Sequence, residues 1–154
     1  MSDAALTYEL IKEIFLLLDD GDRRLLSRFN LTVSRFYALF HLGNEPGMSP
    51  NQLSELMFCD KSNITRLIKS MEAEDLVRRR RHESDGRSVR LFLTPLGQET
   101  RTQALEAHQT YNGQRFSGGV LDETAKLYES LCRLRVNLAA ELAELEADPS
   151  GKGT

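Results

Sequence analysis

Residues 49–71 read SPNQLSELMFCDKSNITRLIKSM, and this stretch decides the fold. Ser49 can cap a helix, Pro50 suits the first helical position, and Gln52 stands where a capping box wants Glu or Gln. Leu53, Leu56 and Met57 form the apolar face of a short helix. Cys59-Asp60 follows, and Asp60 can cap a second helix. That helix carries Ile64, Leu67, Ile68 and Met71, an i, i+3, i+4, i+7 stripe for burial. Its other face offers Lys61, Ser62, Asn63, Thr65, Arg66 and Lys69, and no acid occurs between Lys61 and Ser70. Short hydrogen-bonding groups at a helix start, with cations along it, suit base edges and phosphates.

After Asp75 the period changes from helical to alternating. Leu76-Val77 leads into Arg78, Arg79, Arg80 and Arg81, and Val89-Arg90-Leu91-Phe92-Leu93 alternates like a half-buried strand. Between them, Glu83-Ser-Asp85-Gly86-Arg87-Ser88 is a polar loop with glycine. This predicts a β-hairpin with a basic tip. Four adjacent arginines would repel one another on an ordinary strand, so a polyanion partner is the economical explanation. Arg87 suits a narrow minor groove, and Asp85 can orient an arginine or simply form the turn. Short helix, tight turn, amphipathic helix and basic hairpin together spell a helix-turn-helix with a wing.

The flanks are helical. Leu6, Leu10, Ile14, Leu17 and Leu18 recur at helical spacing over residues 4–18, and Asp19-Asp-Gly21-Asp22 is expected to end or bend that helix. Thr32 can cap a helix over Val33–Leu42, and Thr94-Pro95 starts another that runs to about Phe116. Asp122 is expected to cap the last one. There, Leu127, Leu131, Leu134, Leu138, Leu142 and Leu145 stand 4, 3, 4, 4 and 3 apart, close to a heptad seam. Such a seam wants a partner helix, so Leu6, Leu10, Ile14, Leu127, Leu131, Leu134, Leu138 and Leu142 are the expected dimer contacts. The fold class expected is mainly α with a small β-hairpin wing. An N-terminal dimerisation helix and connection fill residues 1–31, a winged helix-turn-helix DNA-binding domain 32–97, and long dimer-forming C-terminal helices 98–147. A disordered tail fills 148–154.

Composition bounds the alternatives. The 154 residues are 40% hydrophobic and 28% charged, a globular balance. No apolar run approaches the roughly 20 residues of a membrane span. Asp3 and Glu9, with no early Lys or Arg, predict no secretory leader, and two cysteines make no disulfide framework. A cytoplasmic protein is expected. The net charge of -3 hides an asymmetry: residues 61–90 hold nine basic and five acidic side chains, and the remainder 11 and 18. A basic island in an acidic body is the footprint of a local polyanion contact. There is no Gly-rich phosphate loop, Gly-x-Ser-x-Gly elbow or His-Glu-x-x-His, so no enzyme is expected. Glu72 and Glu74 read as solubilising charge.

The stretch Asp85-Gly-Arg87-Ser-Val89-Arg-Leu91-Phe-Leu93-Thr94-Pro95-Leu-Gly97 resembles the wing signature of the MarR (multiple antibiotic resistance regulator) family. Leu53-Ser-Glu55-Leu and Ile64-Thr-Arg66-Leu67-Ile68 resemble its two helix-turn-helix helices at the right separation. The resemblance covers nearly the whole chain. It implies a winged-helix homodimer on a pseudo-palindromic operator, and DNA-reading roles for Lys61, Ser62, Asn63, Thr65, Arg66, Asp85 and Arg87. Two positions depart from the family pattern, because Phe58 and Asp75 stand where relatives usually have glycine.

Lys69, Arg78–Arg81 and Arg90 add the expected phosphate contacts. The reading is a homodimeric repressor of transcription, binding double-stranded DNA and released by a small aromatic or phenolic effector, as the resemblance implies. No effector-binding residue is assigned, although Tyr37, Phe40, His41 and Tyr111 are available aromatics. No metal or other cofactor is expected, since His41, His82 and His108 are far apart. Two alternatives stand beside this reading: a redox switch at Cys59, which otherwise reads as a small buried hydrophobe, and a winged-helix protein-interaction module that does not bind DNA. Arg87→Ala is expected to weaken operator binding strongly with the fold intact. Fluorescence anisotropy at moderate salt checks this, and wild-type affinity in the variant would remove the wing from the interface.

Overall fold

The computed structural model describes residues 3–81, 88–117 and 124–147. In chain order the elements are α1 (Asp3–Leu26), a 3-10 turn (Ser27–Phe29), α2 (Val33–Asn44), α3 (Pro50–Leu56) and α4 (Lys61–Ala73). Then come β1 (Val77–Arg81), β2 (Val89–Leu93), α5 (Pro95–Arg115) and α6 (Thr124–Ala147). They fall into two compact units, Met1–Asn112 and Gly113–Thr154. No described helix is long and apolar enough to cross a membrane.

Within the first unit, four successive helices start on the side chain that the sequence nominates. Thr32 accepts from the Arg35 amide at 3.2 Å and Asp60 from the Asn63 amide at 2.8 Å. Ser49 and Gln52 form the reciprocal capping box, at 3.2 Å and 2.9 Å. Thr94 accepts from the Gly97 amide at 2.9 Å. Each cap satisfies an amide that the helix leaves unpaired. Gly97 also lets α5 begin close against the strand entry, since a Cβ there would sit 1.9 Å from the Leu76 carbonyl oxygen.

The core gathers the apolar stripes of α2, α3 and α4 around Leu39, Leu53, Ile64, Ile68, Met71 and Leu91, all essentially inaccessible to solvent. The hairpin is antiparallel, with Val77 opposite Leu93, Arg79 opposite Leu91 and Arg81 opposite Val89. On its far side β2 meets the α2–α3 loop. The Leu91 amide donates to the Met48 carbonyl and the Leu91 carbonyl accepts from the Gly47 amide, both at 2.9 Å.

One expectation needs correcting. Helix α1 neither ends nor bends at Asp19–Asp22 but continues to Leu26. Asp19 and Asp20 pair with Arg23 and Arg24 one turn later, at 3.0, 3.2 and 2.7 Å. Acid before base is the favourable order along a helix. Leu25 and Leu26 then bury in the core, and half-buried His108 of α5 meets buried Asp22 at 3.4 Å. Together these offset the roughly 1 kcal/mol that Gly21 costs inside a helix.

Three non-glycine residues adopt left-handed backbone: Asn30 (φ 54°), Phe58 (φ 50°) and Asp75 (φ 56°). Each closes a helix end with the same pair of bonds. After α3, the Cys59 amide donates to Ser54 and the Phe58 amide to Glu55; after α4, Leu76 donates to Met71 and Asp75 to Glu72. This is the Schellman closure, whose C′ position favours glycine. Asn and Asp tolerate it, whereas Phe58 carries the full steric penalty and is 86% exposed. Phe58→Gly is expected to raise stability by about 0.5–1 kcal/mol, the strain relieved less the added chain entropy. Urea and thermal unfolding check this, and a lowered midpoint would mean that the ring supports the turn.

Candidate nucleic-acid interface

Helix α4 buries Ile64, Ile68 and Met71 and leaves Lys61, Ser62, Asn63, Thr65, Arg66 and Lys69 exposed. The capping bond at its start is one strand of a larger network. The Asp60 carboxylate accepts from Ser62 Oγ at 2.6 Å and from Asn63 Nδ2 at 2.6 Å, besides the amide. Asn63 Oδ1 in turn accepts from Arg66 Nη2. Hydrogen bonds from Ser62 and Asn63 hold the Asp60 carboxyl below the ordinary carboxylate range, so it stays ionised at neutral pH. Thr65 Oγ1 donates back to the Lys61 carbonyl at 2.8 Å.

In the hairpin, Arg78, Arg79, Arg80 and Arg81 are all exposed, but they are not equivalent. Arg79 Nε pairs with Glu72 of α4 at 2.9 Å. Arg80 lies 5.4 Å over the Phe92 ring, a cation–π contact, and faces Arg90 across the ladder. Arg90 is half-buried and directs Nη1 to the Gly47 carbonyl at 3.3 Å and to Gln52 Oε1 at 3.5 Å. Of these side chains, Arg79, Arg80 and Arg90 therefore also hold the wing in place. Asp85, Arg87 and His82 lie outside the described residues, as do Asp122 and the tail 148–154.

Glu72 and Glu74, read from sequence as solubilising charge, are both engaged. Glu74 receives Arg35 of α2 in a two-pronged pair at 2.8 and 2.6 Å. This pair joins residues 39 apart in sequence, and no local signal announces it. A cleft of about 510 Å³ lies between the start of α2 and the face of α4, lined by Arg35, Cys59, Asn63, Ile64, Arg66 and Leu67 among others. Tyr37, Phe40, His41 and Tyr111 do not line it. Cys59 is half-buried, packs against the core and points its thiol at the Met57 carbonyl, 3.3 Å away.

The eight leucine and isoleucine positions expected in a dimer interface are all open to solvent in the single chain. Leu6, Leu10 and Ile14 on α1 and Leu127, Leu131, Leu134, Leu138 and Leu142 on α6 are 37–57% exposed.

Residues 29–88 match the sequence profile of the MarR family. Over that stretch the chain is similar to the MarR family. It is 32% identical over 124 residues to the HTH-type transcriptional regulator TtmR of Methylorubrum extorquens, an alignment covering 80% of this chain and 63% of that protein. This chain thus spans less than two thirds of that relative's length. Among solved structures, AbsC, a MarR family transcriptional regulator from Streptomyces coelicolor, superposes with a TM-score of 0.80 at 25% identity, covering 91% of this chain and 97% of that one. FabT of Streptococcus pneumoniae, solved in complex with DNA, gives 0.79 at 23% identity, covering 90% and 99%. The MarR winged-helix fold, with its two-stranded wing and flanking helices, is therefore the fold of this chain.

Proposed function

We propose that this protein is a sequence-specific DNA-binding transcription regulator of the MarR type, a cytoplasmic homodimeric repressor that a small-molecule effector releases. The observation that carries the reading is the outer face of α4. Six polar and cationic side chains stand exposed there with no acid among them, beside a hairpin strand of four exposed arginines. A winged helix offers such a face to the major groove and its wing to the flanking backbone. The relative solved in complex with DNA has the same fold.

In this reading Lys61 and Arg66 reach base edges, with Ser62, Asn63 and Thr65 around them. Lys69, Arg78 and Arg81 meet phosphates, while Arg79, Arg80 and Arg90 combine phosphate attraction with support of the wing. Asp85 and Arg87 complete the wing tip. The exposed leucines of α1 and α6 cover one another between two copies, because a solvated apolar seam of that length is costly. Two-fold symmetry then sets two copies of α4 about 34 Å apart, one turn of DNA. An effector acts by favouring a dimer whose spacing no longer fits, a coupling typically of about 1–3 kcal/mol.

Anisotropy titrations with the DNA upstream of the protein's own gene, against a scrambled duplex at several salt concentrations, are expected to give selective binding with a steep salt slope. Arg66→Ala is expected to lose most of the selectivity. Equal weak binding to both duplexes by the wild type would favour the protein-interaction alternative. Light scattering should give about twice the 17.5 kDa chain mass; a monomer at micromolar concentration would remove the two-fold argument. Release from DNA by peroxide in the wild type but not in Cys59→Ser would move the switch to the thiol.

A further inference from the structure

The side chains at the start of α4 form a directed chain, and the direction follows from charge. Asp60 Oδ2 accepts from Asn63 Nδ2 at 2.6 Å, and Asn63 Oδ1 accepts from Arg66 Nη2. A carboxylate only accepts and a guanidinium only donates. An amide between them has one possible orientation, nitrogen toward Asp60 and oxygen toward Arg66. Residues 60, 63 and 66 stand three apart, so they line one stripe of the helix surface. Capping alone needs one Asp60 oxygen, the one that accepts from the Asn63 amide and Ser62 Oγ. The second oxygen is spent on the Asn63 side chain, which the cap does not require.

We infer that Asp60 and Asn63 are positioning residues whose task is to aim Arg66, and that Arg66 reads a base while Asn63 does not. This rests on the DNA-binding reading above. A guanidinium has five donors, and tying one Nη2 hydrogen to Asn63 leaves enough for the two-pronged grip on guanine O6 and N7. An arginine on an exposed helix would otherwise swing to the nearest phosphate, adding affinity for every sequence alike. The chain holds it in the fork orientation before DNA arrives, and so converts a general cation into a selective one. The neighbouring hydroxyls conform to this division of labour, since Ser62 donates to Asp60 and Thr65 to the Lys61 carbonyl.

Asp60→Asn separates the two roles of Asp60. Asparagine caps a helix as well as aspartate does, but its own NH2 cannot accept from Asn63 Nδ2 once its oxygen serves the cap. The variant is expected to melt like the wild type. Without DNA, NMR relaxation at Arg66 Nε should show an ordered side chain in the wild type and a mobile one in Asp60→Asn and Asn63→Leu. With DNA, a duplex motif enriched by the wild type from a random library serves as the probe, each base pair being varied in turn. Asp60→Asn, Asn63→Leu and Arg66→Ala should each lose about tenfold discrimination at the same G·C pair, and Asn63→Leu/Arg66→Ala should lose no more than Arg66→Ala. Selective binding by the wild type, with discrimination kept in Asp60→Asn or lost at a different base pair in Asn63→Leu, overturns the relay alone. Failure of the wild type to enrich any motif overturns both the relay and the regulator reading.

Discussion

The winged unit depends on one residue of β2. Leu91 has no solvent-accessible surface, and its amide and carbonyl both bond to the α2–α3 loop while its strand pairs with β1. It thus occupies the centre of a small ladder and the centre of the core at once. That arrangement puts β1 on the outside, which is why all four arginines are exposed while β2 is half-buried on either side of a fully buried Leu91. A strand with an open edge invites unwanted pairing with other chains, and charge on it discourages that. The arginine run therefore has a structural use as well as an electrostatic one. Arg79 on Glu72 and Arg80 on Phe92 show the first, and Arg78 and Arg81 are left for the second.

Much of this was legible in the sequence because it is local chemistry. Thr32, Ser49, Asp60 and Thr94 announce their helices by residue type and by position relative to Pro, Gln or the apolar stripe, and the structure gives each its bond. The stripe Ile64, Ile68 and Met71 separates the buried from the exposed face of α4 with no tertiary information. Phe58 and Asp75 were visible as departures from a glycine pattern, and both adopt the left-handed backbone such a glycine would supply.

What was not legible lies in contacts between distant residues. Glu74 reads as a surface acid until Arg35, 39 positions earlier, is folded against it. Arg90 reads as part of a basic patch until the Gly47 carbonyl, 43 positions earlier, is placed beside it. Gly21 reads as a helix stop, since periodicity cannot register a partner such as His108 that arrives from α5. The Asp60–Asn63–Arg66 chain has a regular spacing, but only its hydrogen bonds reveal a direction.

Helix α4 is tethered to its neighbours at its C-terminal end: Glu72 to the wing, and Glu74, just beyond the last turn, to α2. A rod held there by two elements does not roll without breaking an ion pair to one or both of them. If an effector releases this protein from DNA, as proposed above, it therefore adjusts the volume of the response and not its vocabulary. The same half-site would be spelled out by the liganded and the unliganded protein, only more faintly by one of them. Changes of target sequence in this lineage would then have to come through substitutions on α4, because its posture is not free to drift.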